Sequence, residues 1–252
     1  MASYILEVRD LVNTVSGHTI IDHLEFDIEE GELRVLVGPN GAGKTTLIEI
    51  ITGRYRPTQG QILFQGQRID GRPRHEIYRL GISRKFQVPT VYDNLTVFEN
   101  LSVALRGHRQ VFSSLFYRID ARGAGQIEAV LAQINLLHRA KDEAYTLSHG
   151  EKQWLEIGMV VASDPRLMLL DEPTTGMTRE ETDKTARLIR EIARTRSVMV
   201  VEHDMSFVRQ IANRITVLHQ GQKLAEGSVR EIENNPRVAE VYLGRTKISA
   251  AP

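Results

Sequence analysis

The segment Gly38-Pro39-Asn40-Gly41-Ala42-Gly43-Lys44-Thr45 has the spacing G-x-x-x-x-G-K-[ST], which is suited to cradling a chain of phosphates. Its glycines let backbone N–H groups turn inward around phosphate oxygens, and the helix expected to follow adds the positive end of its dipole. Lys44 then reaches the β- and γ-phosphates, the Thr45 hydroxyl faces Mg²⁺, and Thr46 continues the first turn. A plain glycine turn capping a helix is the ordinary alternative. The strand before the loop and the helix after it weigh against that reading. Farther along, Leu167-Met168-Leu169-Leu170-Asp171-Glu172 is an apolar strand that delivers two carboxylates at its end. Asp171 suits a ligand of Mg²⁺, often through water, and Glu172 suits a general base polarising the attacking water. Alone, the pair reads equally well as an acidic turn before Pro173; beside a phosphate loop it makes a nucleoside triphosphatase.

A third segment, Leu147-Ser148-His149-Gly150-Glu151, opens a helix striped by Trp154, Ile157, Gly158 and Val161. The N–H groups at its start and the Ser148 hydroxyl form an anion site. Ser148 with Glu151 three residues on is also a capping box, and a capped helix still turns N–H groups outward, so both roles hold together. Trp154 reads as core.

These residues need a scaffold. Tyr4 to Val8 and Ile20 to Ile28 read as strands, with turn formers at Asn13 to Gly17 between them. Glu29 to Glu32 is a turn and Leu33 to Val37 a buried strand that feeds the glycine loop. Thr45 to Thr52 predicts a helix with Leu47, Ile48 and Ile51 on one face and Gly53 as its stop. From about Val88 to Ala162 strand-like alternation gives way to helical spacing, as in Ile127, Val130, Leu131, Ile134 and Leu137. Strands return at Leu167 to Leu170 and Ser197 to Val201, joined by a helix over Arg179 to Ala193, the mark of a parallel sheet. Ile215 to His219 and Lys223 to Glu226 predict a hairpin around Gln220-Gly221. The fold class is α/β.

Composition narrows the function classes. At 252 residues the chain fits one large domain, or one domain carrying an insertion. Thirty-two basic against 32 acidic residues give no net charge, so no basic field for gripping nucleic acid is expected. The absence of cysteine excludes disulfides, thiolate metal sites and cysteine nucleophiles. No apolar run approaches the ~18 residues that span a bilayer. Met1 to Glu7 meets an acid with no basic region before it, unlike a signal peptide. The expectation is a soluble, intracellular chain that reaches a membrane only through a partner.

The phosphate loop, Gln87, Leu147 to Glu151, Leu167 to Glu172 and His203 occur in the order found in ATP-binding cassette proteins. The chain resembles that family over essentially its whole length. The resemblance implies a phosphate-loop NTPase (RecA-like) core with an N-terminal antiparallel β subdomain and an inserted helical subdomain. One domain would run over 1–252, with 1–87 and 163–252 as the core and 88–162 as the insertion. It also implies that Ser148, His149, Gly150 and Glu151 of one subunit complete the ATP site of a second, head to tail, in a homo- or heterodimer. Closing and opening of that ATP sandwich would drive membrane permeases, engaged through the 88–105 region, from the cytoplasmic face. Gln87 would link metal and nucleophilic water to the insertion, sharing Mg²⁺ with Thr45 and Asp171, and His203 would contact the γ-phosphate. On their own, Gln87 reads as a surface turn residue and His203 as a solvated histidine.

Arg84 to Asn100 is similar to the group importing branched-chain amino acids, and closer still to its urea-importing relatives. Gln153 to Met159, Gly176-Met177-Thr178 with Glu180 to Thr182, and Val241 to Arg245 point the same way, toward the ATP-binding D subunits of urea importers. Such systems pair the subunit with a second ATPase, two permeases and an extracytoplasmic binding protein. Urea or a related small amide is the expected cargo, with branched-chain amino acids, or a soluble regulatory ATPase, as alternatives. A phosphate-loop kinase would need no Leu-Ser-x-Gly segment. The chain departs from the family at His149 and Glu151, where many relatives have Gly and Gln, and at Thr178, where many have Asp. Val15 falls where an aromatic usually stacks on adenine, which leaves Tyr4 or a partner's aromatic as other covers for the base.

Overall fold

The computed structural model describes residues 3–85, 91–106 and 120–243. Its centre is strand β3 (Leu33–Val37), buried at every position. A continuous apolar run is what a parallel strand covered on both faces requires. Strands β6 (Ile82–Lys85), β7 (Leu167–Asp171), β8 (Ser197–Val201) and β9 (Arg214–His219) join it in parallel, and β10 (Gln222–Gly227) closes one edge antiparallel. The order is β10-β9-β3-β8-β7-β6, so β3 sits between β9 and β8 with Leu36 opposite Val201. Because side chains alternate across a strand, Leu33, Val35 and Val37 enter one core and Leu36 the other.

The second core is roofed by an antiparallel sheet of order β2-β1-β4-β5, built from β1 (Tyr4–Val15), β2 (His18–Glu29), β4 (Gln59–Phe64) and β5 (Gln67–Arg68). Helix α1 (Lys44–Ile51) lies between the two sheets and gives Leu47, Ile48, Ile50 and Ile51 to that core. On the other face lie α3 (Val97–Arg106), α4 (Ala121–Gln133), α5 (His149–Ala162) and α6 (Arg179–Ile192), with α7 (Met205–Ile211) beside them. Helix α2 (Arg74–Leu80) precedes β6, while α8 (Val229–Glu233) and α9 (Pro236–Leu243) follow β10.

The expected turn over Asn13 to Gly17 is corrected: β1 continues to Val15, and only Ser16 and Gly17 turn the chain. Both have positive φ, +49° and +81°, the two-residue turn whose twist matches a hairpin. Asn13 stays in the strand because its buried side chain donates to the Arg56 carbonyl at 3.3 Å, a tertiary contact that overrides its turn preference. Strands β4 to β6 and helix α2 went unanticipated. The helices over 44–51 and 179–192 and the 214–227 hairpin form where periodicity and turn residues put them.

Arg34, only 1% exposed, knits the two sheets. Its guanidinium donates to Glu32 at 2.7 Å, to Thr216 and Glu226 at 2.8 Å each, and to the Asp27 carbonyl at 2.8 Å. Removing one partner of a buried ion pair strands the others, at a cost of about 3–5 kcal/mol. Arg34→Ala is therefore expected to lower unfolding free energy by about that amount in chemical denaturation. A loss below about 1 kcal/mol would mean that the carboxylates rehydrate without rearrangement.

Candidate nucleotide site

The phosphate loop emerges from the carboxyl end of β3, the end at which parallel α/β sheets bind ligands. Three contacts fix its shape. A Cβ on Gly38 would run into the Leu218 carbonyl of β9. Gly43, at φ +99°, lies so close to β2 that a Cβ would come within 2.9 Å of the Ile20 carbonyl. The Ala42 carbonyl accepts from Gly221 N at 3.2 Å, pinning the loop to the β9–β10 turn. Pro39, Asn40 and Gly41 form the outer lip, while Thr45 and Thr46 stand half-buried in the first turn of α1. That turn contains no acidic residue of its own to offset the positive end of the helix. Lys44 is buried and folds back over the loop, donating to the carbonyls of Gly38 at 2.6 Å and Pro39 at 3.0 Å. Burial pushes its ammonium below the usual lysine range, opposed by the charges of Glu172 and Asp171 nearby.

Those two carboxylates end β7. Asp171 is 3% exposed, and its Oδ2 accepts from Arg84 at 2.9 Å. Its buried Oδ1 has no hydrogen-bond partner. Burial raises the carboxyl, against the pull of the Arg84 guanidinium. Glu172 departs from the strand at φ +46°, a left-handed conformation that is costly for a residue with a Cβ. It is held there by Glu172 N donating to the Val201 carbonyl at 2.9 Å and by the turn Thr175 N to Glu172 O at 3.3 Å. Its carboxylate lies beside the end of β8. At the end of β8, His203 Nδ1 lies 3.5 Å from Glu172 Oε1, with its ring largely exposed. Lys44, Thr45, Asp171, Glu172 and His203 thus gather at the carboxyl ends of β3, β7 and β8. Gln87 lies outside the described residues.

Ser148 to Glu151 start α5 as a complete capping box. Ser148 Oγ accepts from Glu151 N at 3.2 Å, and Glu151 Oε2 accepts from Ser148 N at 2.8 Å. Glu151 also accepts from Arg139 at 3.2 Å, so its carboxylate is committed to its own subunit. Gly150 is buried against Glu181, whose carboxylate occupies the space a Cβ would need. His149 and Gly150 thus meet the 175–181 segment rather than residues 38–46. Trp154 is core, donating to Thr185 Oγ1 at 2.9 Å. Thr178 caps α6 with Glu181, the same box as at α5.

Val15 stands at the hairpin tip opposite His18, 51% exposed, and offers an aliphatic surface only. Tyr4 pairs with Glu29 at the far end of the same hairpin, eleven positions away, and so cannot cover a base held at the tip. Several residues around the site escaped the sequence reading. Arg84 pairs with Asp171, while buried Lys85 contacts Gln153 and lies 3.5 Å from Glu156 of α5. Glu202, 1% exposed, accepts from Thr174 Oγ1 at 2.7 Å and from His203 N at 3.1 Å. The only signal for them was proximity in sequence to Gln87 and His203.

For Mg²⁺ the donor set fits: the bare, buried Oδ1 of Asp171 and the Thr45 hydroxyl are hard oxygens. Among the described residues there is no cluster of three or more histidines and carboxylates placed to hold a metal ion. A cation here would therefore complete its shell with phosphate oxygens and water, as Mg²⁺ commonly does.

A phosphate loop, paired carboxylates and a histidine on parallel strands, roofed by an antiparallel sheet, define an ATP-binding cassette. The ABC transporter family model matches residues 21–175, and a branched-chain amino acid ATP-binding cassette transporter model matches residues 222–247. The chain is 36% identical to the high-affinity branched-chain amino acid transport ATP-binding protein LivG of Salmonella typhimurium, covering 97% of this chain and 99% of that one. It is 37% identical to the corresponding BraF of Pseudomonas aeruginosa, with the same coverage. Among solved structures, the ADP conformation of an ATP-binding cassette from an ABC transporter superposes with a TM-score of 0.84 at 26% identity, covering 96% of this chain and 99% of that one. The chain belongs to the ABC transporter ATP-binding family and is an ABC ATPase. Among the described residues no helix is long and apolar enough to cross a membrane.

Proposed function

We propose that this chain is the ATP-hydrolysing subunit of an importer for branched-chain amino acids, held by permeases at the cytoplasmic face of the membrane. Similarity to LivG and BraF over nearly the full chain supports this cargo class, together with the separate match over β10, α8 and α9. The narrower expectation of urea finds no support among these relatives, which are named for branched-chain amino acids.

The observation that carries the ATPase mechanism is the convergence of Lys44, Asp171, Glu172 and His203 at adjoining strand ends. Gly38 to Gly43 wrap the phosphates, Lys44 exchanges its two loop carbonyls for β- and γ-phosphate oxygens, and Thr46 steadies the first turn of α1. Thr45 and Asp171, with Gln87, would hold Mg²⁺, which when bound neutralises charge developing on the phosphates. Glu172 takes a proton from water as the water oxygen bonds to the γ-phosphorus. The bond to the bridging oxygen breaks, leaving ADP and phosphate. His203, beside Glu172, donates to the γ-phosphate and so keeps the base and the reacting phosphorus in register. Ser148, the backbone N–H of His149 and Gly150 of a second subunit close the site head to tail, while Glu151 maintains the cap that presents them.

A cleft of about 480 Å³ lies between α2, β6, α3 and α5, with Arg54, Arg74, Tyr78, Ala104 and Met159 in its walls. Its apolar floor and basic rim support docking of a permease segment carrying an acidic residue, along the expected 88–105 face. The test is reconstitution of the chain with its permeases in proteoliposomes. A leucine-loaded binding protein is expected to raise ATP hydrolysis several-fold over the unloaded protein. Stimulation by urea and not by leucine, isoleucine or valine would overturn the cargo assignment.

A further inference from the structure

His149 is a departure from the family's usual glycine, and its ring does something a glycine cannot. Its Nε2 donates to the Thr175 carbonyl at 3.0 Å, across 26 residues of chain. The loop has made room for it: Gly176 sits at φ +77°, and a Cβ there would lie 2.8 Å from His149 Nε2. Thr175 in turn faces the carboxylate of Glu172, with Thr175 Oγ1 donating to Glu172 Oε2 at 3.3 Å, and its N–H closes the turn onto the Glu172 carbonyl at 3.3 Å. That turn is one of the two backbone contacts that hold Glu172 in its left-handed conformation, the other being Glu172 N to the Val201 carbonyl. Thr174 next to it is anchored independently, through Glu202, to the end of β8. The segment from Glu172 to Thr175 is therefore gripped from two sides, by β8 and by the first residue of α5.

We propose that His149 is a positioning residue that ties the start of α5 to Glu172 through the Thr175 carbonyl. Seating a partner's nucleotide against Ser148 and Gly150 then steadies the same subunit's own general base. The inference rests on the reading that α5 serves a nucleotide in trans and that Glu172 is the base. A strained residue keeps its geometry only while its surroundings over-determine it, and His149 supplies one of those restraints. The coupling passes through a single hydrogen bond to a backbone carbonyl, so the side chain that donates it matters more than its aromaticity. Glutamine places an N–H donor the same number of bonds from Cα as His Nε2; alanine places none.

The experiment compares the full chain with His149→Ala and His149→Gln in steady-state ATP hydrolysis, and repeats the alanine change in a Glu172→Gln background. His149→Ala is expected to lower kcat about tenfold with KM for ATP within about twofold, the mark of a misplaced base rather than a lost ligand. His149→Gln should restore kcat to within about twofold of the parent. In the Glu172→Gln background, His149→Ala should still form an ATP-dependent dimer, because Ser148 and the Gly150 backbone remain. An unchanged kcat in His149→Ala, a glutamine variant as slow as alanine, or a loss confined to KM would each overturn the proposal. Failure of Glu172→Gln with His149 intact to form any ATP-dependent dimer would instead overturn the trans reading beneath it.

Discussion

Glu172→Gln is expected to bind ATP like the parent and to hydrolyse it about 10²–10⁴-fold more slowly, the usual contribution of a positioned general base. Glutamine keeps the size and polarity of the side chain, and the hydrogen bonds that fix the backbone at Glu172 N and O do not involve the carboxylate. The left-handed turn should survive the change, so the loss isolates the proton-accepting function. The His203 neighbour, 3.5 Å away, cannot substitute. It leans on the carboxylate from the β8 side, and in the proposed mechanism its ring is committed to the γ-phosphate. Single-turnover measurement of phosphate release, with nucleotide affinity determined separately, separates binding from chemistry. Turnover equal to the parent would remove Glu172 from the role of base.

Lys44→Ala should cause the second large loss, this time in binding and turnover together. Lys44 is the only side-chain cation within the loop 38–45. Its neighbours make the removal worse than neutral, because Asp171 and Glu172 act on the same point from across the site. With the ammonium gone, Arg84 still offsets Asp171, but the Glu172 carboxylate faces an incoming polyanion with one cation fewer nearby. Hydrogen bonds to charged groups contribute roughly 1.5–3 kcal/mol each. Loss of contacts to both the β- and γ-phosphates should therefore weaken ATP binding by about 10²–10⁴-fold. Turnover should fall further, since charge on the transferring phosphoryl group is what such clamps stabilise. Equilibrium titration with ATP and a steady-state assay give the two numbers. Near-normal activity would take the loop out of the mechanism.

The residues legible from sequence were those whose chemistry is local. The phosphate loop reads itself, because glycine spacing, a flanking strand and a helix start all lie within some fifteen positions. Asp171 and Glu172 were visible as carboxylates on an apolar strand, and the Ser148–Glu151 capping box was visible as a spacing and forms as such. What stayed hidden depends on contacts far apart in the chain. Nothing near Asp171 announces that Arg84, 87 positions earlier, will pair with it. Glu202 looks like any residue beside a histidine until β8 buries it and Thr174 is brought against it. Strand β4, reading Gln59-Gly60-Gln61-Ile62-Leu63-Phe64, hides its alternation under glutamines, since only Ile62 and Phe64 of it are buried. Strand β6 carries Ser83, Arg84 and Lys85, polar residues that a buried parallel strand accepts only because ion pairs and hydrogen bonds await them. The Asn13 to Gly17 stretch misled for the converse reason. Its turn formers are real, but the antiparallel register with β2 holds all but the last two in the strand.

The departures from the family pattern divide once seen in three dimensions. Glu151 and Thr178 are absorbed by capping boxes that stabilise the starts of α5 and α6. Val15 leaves the hairpin tip with an exposed aliphatic surface and no ring on that strand. His149 reaches out of its helix to the Thr175 carbonyl, in the loop that follows Glu172.

The central claim is that the ATP site is shared: the phosphate loop of one cassette faces the start of α5 of another. It is tested most directly by the solution mass of Glu172→Gln, measured by light scattering with and without ATP, alone and mixed with the companion ATPase subunit of the same importer. Slow hydrolysis should trap the sandwich, so the account predicts a two-cassette species that appears with ATP, disappears with ADP, and is abolished by adding Ser148→Arg. A one-cassette mass at saturating ATP in both mixtures would contradict it.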